Sequence, residues 1–241
     1  MQFCVFVAVS GCLYEFPLKK AADTDTVTHT DTDTNPNTHT ATETNSETTP
    51  ISCPTGVAFV SSPAFTGVVF GTSGGTRYWD ECPDEQVLVG FQGWLYSGSS
   101  GSTVHGTLGA ICGKPSVSLV DGKCAVQVSA GAILPMHGSV GETKWTRMCP
   151  ENEIIMGFRA WTGLDIDLII FRCAPLLITP DENGYEITRG PYTDLSEVGG
   201  GATTPSDQTD CPDGQIATIA ELYAAGYFRA IGLGCQTPSL L

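Results

Sequence analysis

The sequence predicts an all-β domain, closed with pseudo-threefold symmetry and stapled by disulfides, and three observations predict it. A cysteine-bounded unit occurs three times, its apolar residues alternate instead of forming a helical stripe, and its cysteines are too widely spaced for metal clips. A repeated unit that cannot bury its own apolar face must close on its neighbours.

The units run from Cys82-Pro83 to Cys112, from Cys149-Pro150 to Cys173, and from Cys211-Pro212 to Cys235. Two residues past the opening cysteine stand Asp84, Glu151 and Asp213, and five past it Val87, Ile154 and Ile216. Twelve past it stand Trp94, Trp161 and Tyr223; four before the closing cysteine stand Leu108, Ile169 and Ile231. Upstream, Gly71-Thr72-Ser73-Gly74 resembles Gly138-Ser139-Val140-Gly141.

Inside a unit, Val87, Val89 and Phe91 alternate with Leu88, Gly90 and Gln92, and Ile154, Met156 and Phe158 do the same in the second copy. Period two with one apolar face predicts a strand. Ile166 to Phe171 predicts its partner. Residues 216–225 come nearest to a helical period, yet the repeat register places them on a strand.

All ten cysteines lie outside any C-x-x-C pair, which points to an oxidising, extracytoplasmic compartment. Pairing within units joins Cys82 to Cys112, Cys149 to Cys173 and Cys211 to Cys235. Cys53 and Cys124 are left to bridge the opening strand to the link between units one and two.

The first fifty residues differ from the rest. An apolar run from Phe3 to Val9 ends in Ser10-Gly11-Cys12; it reads as a signal segment too short to span a bilayer. Val9-Ser10-Gly11-Cys12 resembles the bacterial lipobox, which implies lipidation at Cys12 and a lipid-anchored surface location, outer-membrane in a Gram-negative cell; the alternative is an ordinary signal peptide and a secreted protein. It departs from that pattern in having no Lys or Arg before the apolar run. Residues 1–22 are thus a signal and lipobox segment. Residues 23–50 hold twelve threonines, no Lys or Arg and one large apolar residue, Val27. That composition cannot offset its ordering entropy and predicts a disordered stalk. Residues 51–241 form the single three-repeat domain. They carry nineteen acids and nine bases, a balance that repels phosphate backbones and excludes nucleic acid as a partner.

The Cys-Pro openings, the Gly-Phe strand and the aliphatic residue before each closing cysteine resemble the vitelline-membrane outer-layer protein family over residues 65–238. That resemblance implies a β-prism of three antiparallel Greek-key sheets, shared with jacalin-type lectins. The chain departs from the family at its Asp-Asp-Thr motif: the corresponding stretches are Ser102-Thr103-Val104-His105, Leu164-Asp165-Ile166-Asp167 and Gly226-Tyr227-Phe228.

Strand parity puts Trp94, Trp161 and Tyr223 on the face opposite Phe91 and Phe158. There an indole beside Gln92, Tyr96 or Arg159 suits a sugar ring, stacking on its apolar side and hydrogen-bonding around its rim. Asp165 and Asp167, two apart, share a strand face and offer paired carboxylates to Ca²⁺ or a sugar hydroxyl, or else form a solvated face with Leu164, Ile166 and Leu168 turned inward. Gly71-Thr72-Ser73-Gly74-Gly75 matches G-x-S-x-G without the helix a nucleophile elbow needs. His105 and His137 read as solitary, so no nucleophile–base constellation can be assembled, and neither cofactor nor metal is called for.

The reading is of a non-enzymatic, surface-anchored, lectin-like module that binds glycan or surface polysaccharide and touches membrane through its lipid anchor only. The rivals are a structural adhesion protein and a glycan-processing enzyme built on acids among Glu151, Glu153, Asp165 and Asp167.

Overall fold

A computed structural model describes residues 52–59, 65–97, 103–182, 184–200 and 207–241. Cys12, the lipobox and the threonine-rich stalk lie outside the described residues. Short strands β1 (Val57–Phe59), β2 (Phe65–Thr66) and β3 (Phe70–Gly71) lead into β4 (Thr76–Glu81). Unit one comprises β5 (Val87–Ser97) and β6 (Thr103–Val120), followed by β7 (Lys123–Ile133), β8 (His137–Gly138) and β9 (Thr143–Met148). Unit two comprises β10 (Glu153–Thr162) and β11 (Ile166–Asp181), then β12 (Gly184–Arg189), β13 (Thr193–Asp194), β14 (Val198–Gly199) and β15 (Asp207–Asp210). Unit three is β16 (Ile216–Ala225) and β17 (Tyr227–Gln236), and the chain ends on β18 (Pro238–Leu240), which pairs with β1. The described residues contain no helix.

Each unit is the central hairpin of an antiparallel Greek-key sheet whose outer strands come from the run-up to the following unit. Sheet one runs β9–β5–β6–β8. Sheet two runs β15–β10–β11–β14, with β13 beside β14 on the same edge. Sheet three runs β4–β16–β17–β3, with β2 further along. The segment before unit one therefore flanks unit three, and the ring closes. This is a β-prism: three sheets turn their apolar faces to one axis, so no apolar sheet face is left open.

The core lies where those faces meet. Phe91 stacks on Phe171 at 4.4 Å between ring centroids, and Phe70 meets Phe158 edge-on at 5.7 Å. Each phenylalanine fully withdrawn from water contributes on the order of 2–3 kcal/mol.

The repeat extends to its irregularities. Every hairpin has one bulge seven residues past the opening cysteine, at Val89, Met156 and Thr218, and another six before the closing cysteine, at Gly106, Asp167 and Arg229. The first bulge corrects the simple alternation expected for these strands. An extra residue re-aims the side chains after it, and Val87 to Phe91 and Ile154 to Phe158 are buried throughout.

The Cys-Pro stations build three copies of one turn. Gln86, Glu153 and Gln215 donate their backbone N–H to the carbonyls of Pro83, Pro150 and Pro212 at 2.9–3.0 Å, and Glu85, Asn152 and Gly214 take positive φ. The four disulfides are Cys82–Cys112, Cys149–Cys173, Cys211–Cys235 and Cys53–Cys124. Three close the unit hairpins. The fourth joins the segment before β1 to β7, where β6 and β7 run past the prism alongside the β11–β12 hairpin.

Where strands cross from one sheet edge to the next, the backbones touch. Gly71, Gly138 and Gly199 have φ of 103–114°, and a methyl group on any of them would lie 2.0–2.2 Å from the carbonyl oxygen of Arg229, Gly106 or Asp167. Only glycine combines that conformation with that approach. The glycine turns at 71 and 138 therefore have a third copy at 199.

Candidate functional site

The aromatic station lies where parity places it, on the outer face of each sheet. Trp94, Trp161 and Tyr223 are half-buried, directly across from Thr107, Leu168 and Ala230. They sit on three different sheets and form no common site. Their neighbours two residues earlier are Gln92, Arg159 and Glu221. Arg159 is not the free hydrogen-bonder that the sequence suggested: Asp194 holds it in an ion pair, within a network that continues through Arg172 to Asp210. Arg172 and Arg189 both lie over the Tyr192 ring, at 3.9 and 4.7 Å. Tyr223 donates its hydroxyl to Glu221 at 2.7 Å.

Asp165 and Asp167 do not share the face of a regular strand. Asp165 belongs to the turn joining β10 to β11, and Asp167 is the bulge residue of β11. Ile166 turns inward as expected, but the bulge puts Leu168 on the outer face across from Trp161, and Leu164 is 81% exposed at the tip. The bulge aims both carboxylates at this end. A methyl group on Gly163 would stand 3.5 Å from Asp167 Oδ2. Partial burial first, and the charge of Asp165 second, raise the Asp167 pKa above the usual aspartate value.

Described residues at the ends of the three hairpins meet the glycine crossings at this end. Thr103 of β6 bridges to Gly200, whose own N–H donates to the Asp167 carbonyl at 3.0 Å. Ser139 N–H donates to Gly226 O at 2.7 Å, tying the run-up to β9 to the third hairpin. Asp165 Oδ1 faces Arg229 Nε at 3.6 Å, and both atoms are buried without a hydrogen-bond partner among the described residues. Tyr96 and Tyr227 pack at 5.0 Å beside them. A hydrogen bond in which the Tyr227 hydroxyl donates to Tyr96 raises the Tyr227 pKa, with desolvation adding to it. Around Gly200 no described residue would meet an added methyl within 4 Å, so backbone is presented beside Asp167.

Arg229 and Tyr227 are not among the residues the sequence singled out. Aligning the units on the station six before the closing cysteine brings out Arg229, since that station reads Gly106, Asp167, Arg229. Its significance depends on the bulge, which the sequence does not announce. His137 is likewise not solitary: its Nε2 lies 2.9 Å from Asp80 Oδ2, and Tyr78 stacks on its ring at 3.8 Å. His105 sits in the core, at the station occupied by Ile166 and Phe228 in the other units.

The acids required by a glycan-processing enzyme are split between the two ends. Glu153 opens β10 and Asp165 follows its far end, and a ten-residue strand between them is about 30 Å long. Glu153 accepts a hydrogen bond from Thr193 Oγ1 at 3.3 Å. Among the described residues no group of three or more His, Cys, Asp or Glu side chains is arranged to hold a metal ion.

Fold and site together define a β-prism module with a polar, aromatic-flanked surface at the hairpin-tip end. No protein-family model and no curated protein matches the chain. Among solved structures, it is similar to a mannose-binding lectin from champedak at 12% identity, with 73% of this chain and 99% of that one covered and a TM-score of 0.46. It is also similar to a mannose-specific jacalin-related lectin from Morus nigra in complex with mannose, at 14% identity, 73% and 96% coverage and a TM-score of 0.43. Artocarpin, a lectin with mannose specificity, matches at 10% identity, 72% and 98% coverage and a TM-score of 0.46. These superpositions are loose, and the fold assignment rests on the pairing of the strands themselves.

Proposed function

We propose that this domain is a non-enzymatic, lectin-like module that binds neutral glycans at its hairpin-tip end. One observation carries the reading: Asp165 Oδ1 and Arg229 Nε stand side by side, buried and lacking hydrogen-bond partners among the described residues. Buried polar atoms in folded proteins are almost always paired. The two side chains remain 23% and 36% exposed, so a carboxylate acceptor beside guanidinium donors is the complement of a hydroxyl, which donates and accepts at once. Because the two side chains cancel in charge, the pair favours an uncharged polyol over an acid or an amine. Asp167 and the bare backbone at Gly200 extend the polar surface, and Tyr96 and Tyr227 supply apolar ring area for the C–H face of a sugar.

The lipobox-like Cys12 and the threonine-rich stalk support presentation of this module from a cell surface by a lipid anchor. Avidity between many copies on one surface would then add to weak single contacts.

A glycan array probed with the parent protein and with Asp165→Asn and Arg229→Gln tests the reading. Each variant is expected to lose at least tenfold in apparent affinity for the glycans the parent retains. A parent that binds nothing on the array, or variants that bind as the parent does, would remove the proposal. For the anchor, Cys12→Ser is expected to shift the protein from the membrane to the soluble fraction.

A further inference from the structure

We infer that the outer face of sheet three carries a second sugar-binding site, centred on Trp79 and separate from the hairpin tips. It takes its ligand class from the glycan reading above, and its geometry from different residues. On β4, Arg77 and Trp79 are two apart and so share a face. Their cross-strand partners on β16 are Tyr223 and Glu221. Arg77 Nε holds Glu221 Oε1 at 2.8 Å, the Tyr223 hydroxyl donates to the same oxygen at 2.7 Å, and the Arg77 guanidinium lies over the Trp79 ring at 4.9 Å.

The other sheets show what is particular here. The residue facing the station ten past the opening cysteine is Thr146 in sheet one and Gln208 in sheet two, and in sheet three it is a tryptophan. Trp79 adds nothing to the core, since it is 41% exposed. Glu221, by contrast, is only 3% exposed. A charged carboxylate is costly to bury, and this one fixes Arg77 and Tyr223 in place around the indole. With one face of the indole backed by the guanidinium, the opposite face is the stacking platform. Arg77, whose side chain is 52% exposed, donates from its remaining N–H groups, and the Tyr223 oxygen accepts. Arg77 and Glu221 cancel, so the ligand that fits is a neutral pyranose, its C–H face on the indole and its hydroxyls at the rim.

The test uses the full chain and tracks its four tryptophan indole N–H signals by NMR during titration with methyl glycosides of mannose, glucose, galactose and N-acetylglucosamine. The Trp79 signal, assigned by its loss in Trp79→Ala, is expected to shift with at least one of them. It should still shift in Asp165→Asn, and Arg77→Gln should raise the apparent Kd at least fivefold with the fold unchanged. A Trp79 signal unmoved by all four glycosides would overturn this site, whether or not the tip residues respond. Shifts at Trp79, together with array binding that Asp165→Asn and Arg229→Gln leave unchanged, would support it and count against the tip site alone.

Discussion

His105 Nε2 lies 3.1 Å from the carbonyl oxygen of Val198, in the middle of the apolar core. Because a carbonyl only accepts, Nε2 carries the proton, and Nδ1 is a buried acceptor without a partner among the described residues. The edge contact with Trp145, at 5.4 Å, completes an uncharged surrounding. Burial, the larger effect, lowers the His105 pKa from 6.5 to about 4, and the Val198 hydrogen bond opposes it.

This shift makes stability depend on pH. The unfolded chain takes up the proton as pH falls below 6.5, while the folded chain takes it up only near pH 4. The neutral ring therefore contributes its full stability above pH 6.5, and that contribution is lost as pH falls from 6.5 to about 4. The loss is on the order of 3 kcal/mol. Denaturant unfolding across that range checks it. His105→Phe, which copies Phe228 of unit three, is expected to flatten this part of the profile.

The glycine crossings predict a contrast. Gly199→Ala would drive a methyl group into the Asp167 carbonyl, costing more than about 2 kcal/mol and displacing the bulge that aims Asp167. Gly122 also has positive φ, but no described residue lies within 4 Å of an added methyl there. Gly122→Ala is expected to cost only about 1 kcal/mol, the strain of a left-handed alanine. Equilibrium unfolding of both variants measures the difference, and equal costs would contradict the close-approach argument.

The disulfides should separate into two kinds. Replacing Cys149 and Cys173 by alanine opens a crosslink spanning 24 residues within a sheet that leads to the tip, with an expected loss of about 3 kcal/mol. Replacing Cys53 and Cys124 opens one spanning 71 residues, a larger loss of about 4 kcal/mol in the chain-entropy model. The second pair ties down only the hairpin extension beyond the prism, so glycan binding at the tips is expected to survive its removal. Thermal unfolding and binding of the same two variants decide the matter.

Ion-pair chemistry at the tip gives a reciprocal prediction. Arg229→Ala leaves the partly buried Asp165 carboxylate without its cation, whereas Asp165→Asn with Arg229→Gln leaves neutral groups that can still hydrogen-bond. The single variant is expected to be less stable than the double one, by about 1–2 kcal/mol. A single variant as stable as the double would mean that the pair is solvated and exerts no pull on the site.

The amino-acid order by itself determined the strands, the threefold repetition, the choice among cysteine pairings and the outward parity of Trp94, Trp161 and Tyr223. All of these depend on period-two alternation and fixed offsets, which are local quantities written along the chain. Only the tertiary structure decided that the run-up to each unit flanks the preceding sheet, that bulges at Val89 and Asp167 re-aim the side chains beyond them, and that Asp165 meets Arg229 while Arg159 is consumed by Asp194. Those outcomes depend on which backbone lies beside which, across separations of tens of residues. A bulge or a glycine crossing becomes visible only once the partner strand is in place.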